Sequence, residues 1–222
     1  MIAWISLAAC SAGLAHGEAA HLKRLASAEV VFREVMEIPD RAIPQELLDR
    51  SHCVVVVPGL KKGAFIFGGK YGRGFLSCRK KDGLGWTGPA AVRIEGGSFG
   101  FQVGGKETDI VLLVMNERGA ERLLSSRFTL GGQASVAAGP VGRTAGAQTD
   151  ALLTAEILSW SRSRGVFAGV SLQGATLRQD LGTNRALYGR TLETREIVLQ
   201  DRPIPEAAAP LIALLNKYSS RR

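Results

Sequence analysis

Two kinds of hydrophobic spacing divide this chain. Over residues 18–37 apolar side chains return at intervals of three, four and seven (Leu22, Leu25, Phe32, Val35 and Met36), while Lys23, Ser27, Arg33 and Glu37 fall elsewhere. That spacing predicts an amphipathic helix, ended by Pro39. Residues 43–48 predict a second short helix with Pro44 at an early position. From Cys53 the period changes. Residues 54–57, four consecutive valines closed by Pro58 and Gly59, predict a strand, followed by strand-type runs at 64–67, 71–77, 85–94, 98–103 and 109–115. Asn116 opens a predicted helix through Arg127. Residues 128–130, 134–138, 152–160, 166–172 and 175–177 read as further strands, with 152–160 also compatible with a helix. Residues 203–218 predict a last amphipathic helix carrying Leu211, Leu214, Leu215 and Tyr218 on one side. No strand–helix–strand alternation occurs, so a doubly wound parallel sheet is not expected. The expected class is α+β: a single domain with a Gly-rich antiparallel sheet or barrel-like core and amphipathic helices at both ends.

Composition and charge sharpen this. The chain has 222 residues, 45% of them hydrophobic and 22% charged, which supports a full core and excludes a disordered tail or a polytopic membrane protein. Glycine is in excess, at 27 residues, and scattered among the β-type runs. The net charge of +8 is reproduced by one stretch: Arg50, Lys61, Lys62, Lys70, Arg73, Arg79, Lys80 and Lys81, with no Asp or Glu between Asp49 and Asp82. Either these side chains guard a solvated hairpin edge, or they face an anion. For the second case the expected contacts with anionic head groups are Lys61, Lys62, Lys70, Arg73, Arg79, Lys80 and Lys81. The glycine cluster from Gly68 to Gly74 reads as a tight hairpin carrying Lys70 and Arg73 outward.

The N-terminus adds a second membrane signal. Leu7, Ala8, Ala9 and Cys10 fit a bacterial lipobox, which makes Cys10 the expected lipidation site. No Lys or Arg precedes it, unlike an ordinary secretory leader. The expected division is a leader and tether over 1–17, a domain over 18–218 and a basic tail over 219–222. The expected location is the periplasm, on a lipid anchor, or the cytoplasm or exterior if 1–17 is no signal. Cys53 and Cys78 then either pair or sit buried as small hydrophobes.

The catalytic motifs fail one by one. Gly100 to Lys106 has the glycine and lysine spacing of a phosphate loop, but Glu107 stands where Ser or Thr is needed, and a strand-type run follows instead of a helix. His16, His21 and His52 lack metal-ligand spacing, so no metal and no cofactor is expected. His52 and Cys53 are adjacent, which places them on opposite faces of a strand. Asp109, Asp150, Glu156 and Asp180 are better explained as ion-pair partners of Arg162, Arg164 or Arg178 than as paired catalytic acids. Only Trp86, Tyr71 and Phe75 interleave with the basic stretch, which argues against nucleic acid.

A set of motifs in fixed order resembles the SYLF, or Las17-binding, domain family. They are Gly68 to Gly74 (GGKYGRG), Gly85 to Ala90 (GWTGPA), Ser98 to Gly104 (SFGFQVG), Thr108 to Leu112, Phe128 to Gly132 (FTLGG), Ala134 to Arg143 (ASVAAGPVGR), Ala155 to Ile157, Ser159 to Arg164 (SWSRSR) and Gly165 to Leu172 (GVFAGVSL). The resemblance runs from about Val30 to Arg190. It implies a non-catalytic binding module. Eukaryotic members bind phosphoinositides through basic surface and an amphipathic N-terminal helix, fungal members also bind and bundle actin, and bacterial members look like exported lipoproteins. The expectation is therefore a membrane-associated domain whose partner is anionic lipid. The alternative is a protein-interaction or envelope-structural module whose partner is an envelope protein.

Overall fold

The computed structural model describes residues 8–38, 42–65, 67–99, 106–140, 155–163, 166–167 and 172–220. The valine run does not stop at Pro58 and Gly59. It continues as one strand, β1 (Cys53–Phe65), which pairs antiparallel with β2 (Phe67–Cys78). Residues 57–60 of β1 face only three residues of β2, because Val56 pairs with Phe75 and Lys61 with Tyr71. This one-residue bulge removes Pro58 from the regular ladder, where its missing N–H would break a bond. It also lets Val57 and Leu60, three positions apart, both join the same core cluster.

The glycine cluster is therefore mid-strand and not a hairpin turn. A Cβ on Gly74 would lie 2.1 Å from the Val56 carbonyl oxygen, and one on Gly72 would lie 2.8 Å from Val57 Cγ1. The glycines let β2 close on the bulge.

The remaining strands are β3 (Ala90–Phe99), β4 (Lys106–Val114), β5 (Arg127–Thr129), β6 (Val136–Ala138), β7 (Ile157–Ser163), β8 (Val166–Phe167) and β9 (Thr176–Gln179). Among the described residues the sheet order is β5-β9-β3-β2-β1-β4-β7-β6, with β8 on β7. All pairs are antiparallel except β6 with β7. The sheet curls into a half-barrel, and a bridge between Leu130 and Ala134 joins its two margins. The expected α+β single domain is what the chain forms. The predicted strand over 85–94 begins only at Ala90, since Trp86 sits in the preceding loop.

Strand alternation separates two cores. Val55, Leu60, Leu76, Ile94, Ile110 and Leu112 fill the concave side, together with the Cys53–Cys78 disulfide. Val54, Val56, Phe75, Val111 and Leu113 face the convex side, under α1 (Ala8–Glu37), α2 (Gln45–Arg50) and α6 (Ala209–Tyr218). In α1 the packed stripe is Leu25, Ala28, Val31, Phe32 and Val35, all nearly inaccessible. Burying a side chain of Val, Leu or Phe size is worth roughly 1.5–3 kcal/mol each. Leu22 is 44% exposed, against expectation. At 100° per residue His21, not Leu22, continues the stripe set by Leu25, Ala28 and Phe32.

The described residues hold three further α-helices: α3 (Glu117–Leu123), α4 (Leu181–Tyr188) and α5 (Thr194–Leu199). Asn116 caps α3 by accepting from Gly119 N–H, as its position predicts, but the helix stops four residues before Arg127. Packed chain extends to Ser219 and Ser220: Ser219 is buried, and Ser220 accepts from Gly85 N–H.

Candidate binding surface

The acid-free stretch is stretched out along β1 and β2, so its cations do not form one patch. Lys70 and Arg79 stand nine positions apart along β2 and its extension, which is roughly 30 Å of extended chain. At the hairpin end, exposed Lys61 lies 3.7 Å from Glu107 of β4. Lys62 pairs in register with Lys70 on one side and Lys106 on the other. Lys70 is buried, and burial, then the neighbouring charge of Lys62, lowers its pKa.

At the other end Arg79 is structural. Its guanidinium donates to the carbonyls of Leu48 and Ser219 at 3.0 and 2.6 Å and stacks on buried Trp86. Lys80 lies 3.1 Å from Asp201, and Lys81 is exposed in the following turn. Carboxylates from distant sequence thus answer several of the cations. Cys10 falls within the first turn of α1, next to residues 1–7, which lie outside the described residues.

Arg73, in the middle, belongs to a group that sequence reading missed. It is opposite Arg93 of β3, Arg93 is opposite Arg178 of β9, and Arg178 is opposite Arg127 of β5. Four arginines therefore occupy one rung across four adjacent strands. Their neighbours Ile94, Leu177 and Phe128 belong to the concave core, so alternation puts the arginines on the convex face. The Arg73, Arg93 and Arg178 side chains are 36%, 33% and 38% exposed, and Arg127 is exposed. The next rung on that face holds Tyr71, Glu95, Thr176 and Thr129.

Two carboxylates serve this row. Glu95 lies 2.7 Å from Arg93 Nε and 3.5 Å from Arg178 Nε. Buried Asp180 lies 3.5 Å from Arg73 Nε while capping α4 through Thr183 N–H and Oγ1. Arg73 also lies 2.6 Å from the Tyr71 hydroxyl. From α1, His21 Nδ1 approaches Thr183 Oγ1 at 3.1 Å, and Arg24 lies beside Arg73. Burial, followed by that like charge, lowers the Arg24 pKa.

The other expected carboxylates have their own partners. Asp109 pairs with Arg162 at 3.1 Å, and Glu34 of α1 bonds the same guanidinium. Glu156 pairs with Arg122 at 3.3 Å, not with Arg162 or Arg178. Asp150 and Arg164 lie outside the described residues, as do residues 100–105 of the segment whose spacing mimics a phosphate loop. Cys53, bonded to Cys78, offers no thiol, which resolves the open pairing question. Among the described residues no three His, Cys, Asp or Glu side chains converge on a metal position. Of the three aromatics near the basic stretch, Trp86 and Phe75 are core residues and Tyr71 alone is exposed. Among the described residues no helix is long and apolar enough to cross a membrane.

What this geometry offers is a charged face of a β-sheet, the material of a contact surface. Residues 95–218 match the family described as Ysc84, Las17-binding protein actin regulator, and the chain belongs to that family. It is 32% identical over 197 residues to SH3 domain-containing YSC84-like protein 1 of Rattus norvegicus, covering 86% of this chain and 57% of the relative. It is 36% identical over 181 residues to Protein YSC84 of Saccharomyces cerevisiae, covering 80% of this chain and 38% of the relative. It is also 36% identical over 181 residues to LAS seventeen-binding protein 3 of the same yeast, covering 80% and 39%. The chain thus spans about half, or less, of the length of these relatives.

Proposed function

We propose that this chain is a non-catalytic protein-interaction module of the actin-regulating kind. One observation carries the reading: the segment shared with a relative named for Las17 binding, LAS seventeen-binding protein 3, takes in four fifths of the chain. The test is co-sedimentation of the purified chain with filamentous actin, and capture on immobilised yeast Las17. Saturable binding to either at micromolar concentration supports the reading. A folded chain that binds neither overturns it.

A second reading, contact with an anionic membrane surface, is supported by exposed Lys61 and half-buried Lys62, adjacent at the hairpin end of β1. Each cation near such a surface is worth about 1 kcal/mol. In a living cell Cys10 acylation would add the anchor. Flotation with phosphatidylglycerol vesicles, lost on replacing Lys61, Lys62, Lys80 and Lys81 with Glu, supports it. Retained flotation of that variant removes the lysines from the account.

A further inference from the structure

The arginine rung is an expensive arrangement. Like charges directly opposite one another on neighbouring strands are destabilising. Here three successive cross-strand pairs are Arg with Arg. Glu95 and Asp180 leave a surplus of two positive charges on the row, and Arg24 adds a third beside Arg73. The Nε atoms of Arg93 and Arg178 are buried and make no hydrogen bond, facing Glu95 by charge alone. Their terminal nitrogens, and the whole Arg127 guanidinium, have no hydrogen-bond partner among the described residues. Among the described residues no acid beyond Glu95 and Asp180 pairs with the row.

We propose that this rung docks an extended acidic segment of a protein partner, its carboxylates held by Arg73, Arg93, Arg178 and Arg127. The proposal rests on the protein-interaction reading and names the chemistry of the partner. Adjacent strands lie about 4.8 Å apart, so the four arginines span roughly 14 Å. An extended segment laid across the strands presents same-face side chains every 6.7 Å or so, and three of them cover about the same length. Planar guanidinium forks suit carboxylates bidentately. On the adjoining rungs Thr176, Thr129, Gly69 and Gly97 are small enough for a backbone to lie against, and Tyr71 offers an exposed ring. A single line of charge flanked by Glu95 on the next rung matches a strand better than the continuous sheet of phosphates on a bilayer.

The experiment uses the full chain and a fluorescent ten-residue peptide alternating Glu and Thr, read by anisotropy at low salt. A peptide of the same composition with its glutamates contiguous reports on spacing. The alternating peptide binds, the contiguous one more weakly, and Arg93→Gln with Arg178→Gln weakens binding by about tenfold or more. Lys61→Gln with Lys62→Gln, at the hairpin end, changes it less than about twofold. Thermal unfolding confirms that the Arg93/Arg178 variant is folded; relief of the like-charge pair keeps its midpoint at or above that of the parent. Equal binding by parent and variant overturns the proposal, as does failure to bind the alternating peptide. So does loss of phosphatidylglycerol-vesicle binding, and not of peptide binding, in the variant. The two readings fail separately. If the parent binds Las17 or actin and the Arg93/Arg178 variant binds it unchanged, the row is wrong and the interaction reading survives. If the peptide result holds while Las17 and actin are both ignored, the row stands and that reading falls.

Discussion

The Arg79 guanidinium lies 3.8 Å from the centre of the Trp86 ring, and both residues donate to the same backbone oxygen, that of Ser219. The pair ties the end of β2, the loop after it and the end of α6 to α2 through the Leu48 carbonyl. Replacing Arg79 with Ala removes a cation–π contact and several charge-assisted bonds. We expect a loss of about 3 kcal/mol in urea unfolding. Arg79→Lys recovers little, because an ammonium has no fork to reach Leu48 and Ser219 together. Equal midpoints for Arg79→Ala and parent would show the latch to be idle.

Gly74 and Gly69 stand on the same strand and predict opposite outcomes. Alanine at 74 places its Cβ 2.1 Å from the Val56 carbonyl oxygen, while at 69 it meets nothing within 4 Å. Gly74→Ala is expected to cost about 3 kcal/mol or to prevent folding, and Gly69→Ala to change stability by less than about 0.5 kcal/mol. Soluble yield and thermal midpoint compare them directly.

The disulfide between Cys53 and Cys78 closes a loop with a sequence separation of 25. Chain-entropy arguments give such a crosslink about 3 kcal/mol. Dithiothreitol should lower the thermal midpoint of the parent and leave a Cys53→Ala/Cys78→Ala protein unchanged. A parent indifferent to reductant would show the crosslink to be without thermodynamic weight.

His21 links stability to pH. Burial first, then Arg24 and Arg73, hold its pKa below the ordinary 6.5, while Asp180 opposes them. The unfolded chain therefore binds the proton before the folded one does. The contribution is complete above pH 6.5 or so and is lost as pH falls toward the folded value. His21→Gln should flatten the decline in urea midpoint below that pH relative to the parent. Carboxylates titrate in both proteins, so the difference between them isolates the histidine. A difference that stays constant with pH would remove His21 as the cause.

Much of the architecture was legible because period and chemistry agreed. The stripe around Leu25, Phe32 and Val35, the cap at Asn116 and the apolar face of α6 follow from spacing alone. The helices α4 and α5 were not anticipated. Their apolar content is low, and their signals are caps: Asp180 before α4, Gly189 at φ 72° after it, and a capping box between Glu193 and Glu196. The bulge at Pro58 and Gly59 was misread as a terminus because those two residues ordinarily mark turns. The basic stretch was visible but its meaning was not, since the carboxylates that meet it come from Glu107, Asp180 and Asp201. Conversely, Arg93, Arg127 and Arg178 are scattered among balanced charges along the chain. Only strand register brings them into line with Arg73.

The bulge also has a reach beyond its own strand. The Gly59 N–H donates to Asp109 Oδ1, the other oxygen of that carboxylate holds Arg162, and Arg162 grips Glu34 on α1. One amide at the kink is thereby geared, through three side chains, to the seat of the longest helix. A force that straightens the middle of the sheet must tug on that helix, and a load on the helix must be felt where the sheet bends.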